Sequence, residues 1–244
     1  MVITEERRRA ALSRANHAPS HFWILVRDQL RTLAMAFLLF VLVRAFLVEA
    51  FKIPSASMEG TLLAGDFLLV NKLVYGAEVP LVGTRIPRIR DPKRGDVIVF
   101  QWPEDLTKNF VKRVVGVPGD TLAMRGGTLL INGRAQRESF AHHVPMLDRF
   151  ESEFRWQSRY LAAAIRDYRP SRDNWGPIVV PRANYFVLGD NRENSLDSRY
   201  WGFVPDSLVR GQPLVVYYSF DSGQAVPNRF LSRVRWRRVG ALVQ

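Results

Sequence analysis

Cysteine is absent from all 244 residues. That removes a thiol nucleophile and disulfide bridges, although it fixes no compartment, since extracytoplasmic chains can do without disulfides. Histidine is scarce: only His17, His21, His142 and His143 occur. Lysine is nearly as rare, with five against thirty arginines, in a chain of net charge +12. Such a balance suits nucleic acid, anionic lipid or plain solubility. No zinc-finger, P-loop or dinucleotide-binding spacing accompanies it, so no nucleic-acid partner, metal or cofactor is expected. An unbroken apolar run of about 20 residues, enough to span a bilayer, is also missing. The longest is the eleven residues Leu33–Val43.

Hydrophobic residues make up 47% of the chain, enough for a packed core and too many for wholesale disorder. Residues 1–31 are polar and carry Arg7, Arg8, Arg9, Arg14, Arg27 and Arg31. The apolar run that follows continues past Arg44 to Val48, and an arginine near one end can snorkel to the interface. Residues 32–50 are therefore expected to form an uncleaved transmembrane anchor rather than a signal peptide, since no clear small-x-small site precedes the following serines. The arginines before it place the N-terminus in the cytoplasm and the rest of the chain outside, a single-pass topology in the cytoplasmic membrane.

Beyond residue 50, short apolar, β-branched runs separated by turn signals predict strands at 66–72, 95–100, 109–116, 128–133, 185–188 and 214–220. Asn132-Gly133 is a hairpin signal. The expected class is mainly β, an antiparallel or mixed sheet. Residues 134–183 are rich in arginine and without strict alternation, and 121–183 reads as an inserted cap between core segments 51–120 and 184–244. Phe150, Phe154, Leu161 and Ile165 within it suggest a helical face.

Directly after the anchor comes Ile53-Pro54-Ser55-Ala56-Ser57-Met58-Glu59-Gly60-Thr61-Leu62. Taken alone this stretch reads first as a polar linker. A serine hydroxyl becomes a useful nucleophile only when a base removes its proton. His17 and His21 precede the anchor, and His142 and His143 lie in the insert. Neither a Gly-x-Ser-x-Gly nor a Ser-x-x-Lys pattern is present. Lys112 is better placed. Phe110 and Val114 share its face of a strand, and apolar burial lowers an ammonium's pKa until the neutral amine can take a proton. A snorkelling surface lysine is the alternative reading. A third stretch, Gly189-Asp190-Asn191-Arg192-Glu193-Asn194-Ser195-Leu196-Asp197-Ser198-Arg199, reads either as a loop of Asx turns or as a rigid support for the site, with Asp197 and Arg199 spaced to pair.

Four stretches in order together resemble bacterial type I signal peptidases, membrane-bound proteases with a serine–lysine dyad. They are Pro54–Met58 with Thr61-Leu62, Arg94–Phe100, Val111–Asp120, and Gly189–Arg199 continuing to Trp201-Gly202. The resemblance covers about residues 30–220 and is weakest in the insert. It implies Ser57 as nucleophile and Lys112 as general base. It implies Ser55 as an oxyanion donor beside the Ser57 N–H, and Ser195 as partner of the lysine, supported by Asp197 and Arg199. Ile53, Pro54, Phe110 and Val111 would line the substrate site. The implied substrates are preprotein signal peptides with small residues at −1 and −3 of the cut, met at the membrane lipid surface without a cofactor. The chain departs from the family at Gly60, where proline is usual, and in showing one anchor where many members have two. Two further readings stand beside this one: a dyad protease dedicated to a conjugation or pilus system, and a non-catalytic, membrane-tethered lipid-binding β domain.

Overall fold

A computed structural model of the chain describes residues 21–44, 48–78, 84–143, 147–221 and 233–244. The chain divides into two compact units at residue 44. In the first, helix α1 runs His21–Leu42. No proline or glycine interrupts these 22 residues, so the polar part expected outside the anchor is helical as well. Its first half bears Arg27, Asp28 and Arg31, loosely paired at the surface. Its second half, Leu33–Leu42, is wholly apolar, and Leu33–Val41 are exposed. Ten residues at 1.5 Å per residue cover roughly half of a 30 Å hydrocarbon layer. Among the described residues no helix is long and apolar enough to cross a membrane. The expected anchor also ends sooner than its apolar sequence does: residues 45–47 lie outside the described ones, and Val48 already opens a strand.

The second unit is built from antiparallel ladders. Strands β1 (Val48–Lys52), β2 (Asp66–Asn71), β3 (Val97–Trp102), β4 (Asp105–Gly116), β9 (Asn184–Leu188), β10 (Val204–Pro205) and β11 (Val209–Ser219) form one sheet in the order β1-β2-β11-β3-β4-β9-β10. With its first three residues β1 falls within the expected anchor, whose apolar run reaches Val48. Its full pairing with β2, Val48↔Asn71 through Lys52↔Phe67, satisfies its backbone instead. Strands β5 (Thr121–Arg125), β6 (Thr128–Ile131), β7 (Arg134–Ala135) and β8 (Trp175–Val179) form a second sheet, ordered β7-β6-β5-β8. The β6–β7 hairpin turns at Asn132-Gly133, both with positive φ as a tight primed turn requires.

The insert is thus a folded subdomain that shares the core of the main sheet. Leu122, Met124, Leu129, Trp175 and Ile178 pack in one cluster with Val115, Phe186 and Leu188. The helical face read within it differs from expectation. Ser152–Tyr160 is a 3-10 helix and holds only Phe154 of the four residues. Phe150 and Leu161 instead form single bridges to Ser171 and Ile178. Packing of Phe154 on Tyr200, near α2 (Ser198–Trp201), and of Trp156 on Phe203 sets this segment's course, overriding the spacing of its apolar residues. Ile53, Met58, Leu62, Leu68, Val97 and Val216 form a second cluster, which roots the serine-bearing loop.

Candidate active site

The loop between β1 and β2 is clasped at its base. Ile53 N–H donates to the Asp66 carbonyl at 2.8 Å and Gly65 N–H to the Ile53 carbonyl at 2.9 Å. Within it Glu59 N–H reaches the Ala56 carbonyl, and Thr61 and Leu62 N–H both reach that of Met58. Met58 and Leu62 are buried, so the two residues that bracket this turn are fixed by packing. Gly60 has φ +106°, a conformation closed to proline, whose φ is held near −65°. Arg235 and Arg238 brace the loop from the C-terminal stretch. Arg235 donates to the Ala64 carbonyl, and Arg238 to the Thr61 carbonyl and the buried Asp66 carboxylate.

This frame presents Ser57 to Lys112. The Ser57 Oγ to Lys112 Nζ distance is 2.6 Å. Lys112 lies on β4 opposite Ile98 of β3 and is only 4% exposed. Its amine also contacts the Val111 carbonyl at 3.2 Å and sits 5.5 Å from the Phe110 ring centroid. Burial is the dominant influence on its charge. Asp197 and Asp190 favour the ammonium and Arg199 opposes it, but the balance pulls the pKa from 10.5 down to about 8. An amine so depressed can take the proton of a hydroxyl at hydrogen-bond distance, and an attacking alkoxide can form on Ser57. Ser55 Oγ lies 3.3 Å from Ser57 Oγ on the exposed side of the loop, within reach of an atom bonded to Ser57.

The turn from Gly189 to Arg199 forms the wall behind the lysine. Asp197 is fully buried and accepts from the Gly189 N–H at 3.1 Å and from Arg199 Nε and a terminal guanidinium nitrogen at 2.9 Å each. Burial pushes the Asp197 carboxyl up, but Arg199, the Gly189 N–H and the neighbouring Ser195 hydroxyl outweigh it and hold the pKa below the usual value. Arg199 passes the restraint on, donating to the Arg192 carbonyl at 2.6 Å. Gly189 is necessary for the approach: a Cβ there would sit 2.4 Å from the Ser57 carbonyl oxygen and 2.2 Å from Ser195 Oγ. Ser195 is buried with its hydroxyl in no hydrogen bond of good geometry. The expected Ser195–lysine bond is thus not formed in this structure, and Lys112 Nζ points to Ser57 and to its own strand's backbone instead.

A groove of about 360 Å³ opens beside the pair. Ile53, Pro54, Phe110 and Val111 all line it together with Ser55, Ser57 and Lys112. Several residues of this wall were not singled out from the sequence. Asp190 accepts two hydrogen bonds from Arg113, at 2.8 and 2.7 Å, and one from Thr61 Oγ1 at 2.5 Å. Asn191 binds the serine loop through its side chain to the Ala56 carbonyl and through its N–H to the Ser57 carbonyl. Their signal was present as unpaired-looking charge and amide inside a loop that ends in aromatic residues, but only the fold reveals which partners they meet.

The signal peptidase, peptidase S26, family matches residues 26–218 of the chain. A signal peptidase I from Pseudomonas aeruginosa is 37% identical over 227 residues, covering 86% of this chain and 77% of its own. One from Pseudomonas fluorescens is 39% identical over 195 residues, covering 74% and 68%. The solved structure of a signal peptidase I from Enterococcus faecalis shares 32% identity and covers 51% of this chain and 97% of its own, with a TM-score of 0.34, too low for the fold to rest on.

Proposed function

Because the chain belongs to the S26 signal peptidase family and is an endopeptidase that removes signal peptides from preproteins, we propose that Ser57 is its nucleophile and Lys112 its general base. Membership of that family removes the reading as a non-catalytic lipid-binding domain. The observation that carries the assignment is the 2.6 Å approach of a buried, depressed amine to the serine hydroxyl. Lys112 takes the Ser57 proton as Oγ attacks the scissile carbonyl carbon. The tetrahedral oxyanion is held by the Ser57 N–H and the Ser55 hydroxyl. On collapse the peptide C–N bond breaks, and the lysine's proton passes to the leaving amine. The acyl-enzyme is then cleared by a water whose proton Lys112 accepts. Asp197 and Arg199 act through the wall they build, and Ser195, buried in that wall, is the hydroxyl assigned to assist the amine.

The groove can take an extended substrate strand along Ile53-Pro54 and Phe110-Val111, with buried Ile53 and Met58 also in its lining. Small residues at −1 and −3 of the cut are the side chains assigned to this groove. We also place the catalytic domain at the outer face of the cytoplasmic membrane. Support comes from the apolar, exposed end of α1 and the arginines that precede it in sequence. Trp236, 66% exposed beside exposed Arg237, adds an amphipathic contact suited to lipid headgroups. Arg235 and Arg238 contribute less to such a surface than their spacing suggests, since they are committed to the serine loop.

Purified protein acting on a preprotein with an Ala-x-Ala site tests the dyad. Ser57→Ala should fold normally and lose turnover by about 10⁴-fold or more. Retained cleavage would refute the assignment. Flotation with anionic vesicles, comparing the full chain with one beginning at Val48, tests the membrane contact. Equal recovery in the absence and presence of vesicles for the full chain would contradict it.

A further inference from the structure

One arm of the inserted subdomain reaches the active-site wall directly. Glu138 accepts two hydrogen bonds from the buried Arg192 guanidinium, at 2.8 and 2.7 Å. Arg192 Nε in turn holds the Gly189 carbonyl at 3.1 Å. Four residues along the arm, His142 N–H donates to the Asp190 carbonyl at 2.7 Å and Arg192 N–H to the His142 carbonyl at 3.1 Å, a short parallel bridge between arm and wall. Between these two grips the Phe140 ring covers the Arg113 guanidinium, 3.9 Å from ring centroid to guanidinium carbon. The Phe140 carbonyl also stands against Gly60 of the serine loop, 3.2 Å from where a Cβ would lie.

We propose that the arm Glu138–His143 is a positioning element for the dyad, seating the Gly189–Arg199 wall and Arg113 against Lys112 so that turnover depends on the insert. This inference rests on the assignment of Lys112 as base. The two acids that act on Lys112 are both reached through residues the arm holds. Asp190 is paired with Arg113, under Phe140. Asp197 is paired with Arg199, which binds the Arg192 carbonyl. Arg199 is the third charged group that acts on the amine. On the outer side of the wall the arm adds one titratable pair, His143 with Glu193 at 3.2 Å. Phe140, Glu138 and His142 touch neither the groove nor the reacting atoms, so their effect passes through the wall. A loosened wall admits water around Lys112, and the burial that depresses its pKa is relieved.

The test uses the full chain with Phe140→Leu, Phe140→Tyr and Glu138→Gln, each measured for kcat, KM, pH profile and thermal melting on one preprotein. Phe140→Leu and Glu138→Gln should lower kcat roughly tenfold, with KM changed less than about twofold, because positioning is lost and binding is not. In both, the midpoint of the alkaline rise should move up by about half a unit, toward that of a free lysine. Phe140→Tyr keeps the ring over Arg113 and should keep native values. A lower melting temperature with native kcat and native midpoint would make the arm merely structural and overturn the proposal. So would a rise in KM with kcat unchanged. If Glu138→Gln fails to fold with Arg192 unpaired, Phe140→Leu, which leaves no buried charge without its partner, decides the matter. Ser57→Ala measured alongside separates the two claims: turnover there would sink the dyad assignment itself, whatever the arm variants do.

Discussion

Lys112 and Arg113 are neighbours on β4, both buried cations, and they have opposite fates. Arg113 meets Asp190 in a two-pronged pair, with further bonds to the Gly95 carbonyl at 2.7 Å and the Gln244 carbonyl at 3.0 Å. Among the described residues no carboxylate contacts Lys112. It faces a hydroxyl, a backbone carbonyl and an aromatic ring. Alternation along the strand sends the two side chains to opposite faces. A buried cation with its counter-charge is structural, and removal of that counter-charge is costly. A buried cation without one relieves its desolvation by giving up a proton, which is what a general base needs. The choice of residue follows: guanidinium cannot deprotonate in proteins, whereas ammonium can.

The comparison can be broken from Arg113's side. Asp190→Asn leaves a buried arginine without its partner and should cost about 3–5 kcal/mol of stability, read as a lower denaturation midpoint. A stability unchanged within error would mean the pair is not needed. On the lysine's side, Ser55→Ala removes a proposed oxyanion donor and should cost about 10²–10³ in kcat with the fold intact. Full activity would remove Ser55 from the mechanism. The smallest effect is expected at Ser195. Its hydroxyl makes no well-formed bond to the amine here, so Ser195→Ala should lower kcat by roughly tenfold or less, set against the larger loss expected for Ser55. A loss as deep as that of Ser57→Ala would show that Ser195 handles the proton itself.

Much of this was legible in the sequence. The strands at 66–71, 97–102, 105–116 and 184–188 follow β-branched runs bounded by turn residues, and Asn132-Gly133 turns as its sequence requires. The scarcity of other bases put Lys112 forward beside a reading as a surface lysine, and only the resemblance to signal peptidases singled out Ser57 as its partner. What stayed hidden depends on long-range partners. Val48–Ala50 falls at the end of the expected anchor until β2 is there to pair with it. Thr121–Arg125 and Trp175–Val179 are 50 residues apart, and pairing across that distance leaves no local trace in an arginine-rich stretch. Asp190 and Asn191 look like loop polarity until their partners Arg113 and the Ala56 carbonyl are seen. The Gly60 turn also escaped, because a glycine can be read as looseness when its positive φ in fact specifies one path.

The central claim is that Lys112 works as a neutral amine, and the pH dependence of kcat/KM tests it most directly. The account predicts activity rising with pH through a midpoint near 8, well below that of an ordinary lysine at 10.5. The same depression ties stability to pH. Between about 8 and 10.5 the unfolded chain holds the lysine proton and the folded one does not, so this residue's contribution to stability improves as pH rises through that window. Its cost is full below 8. Lys112→Arg should be inactive at every pH, with the fold retained, since its cation cannot give up a proton. Substantial cleavage by the arginine variant, or a wild-type profile whose rise has the same midpoint as free lysine, would contradict the account.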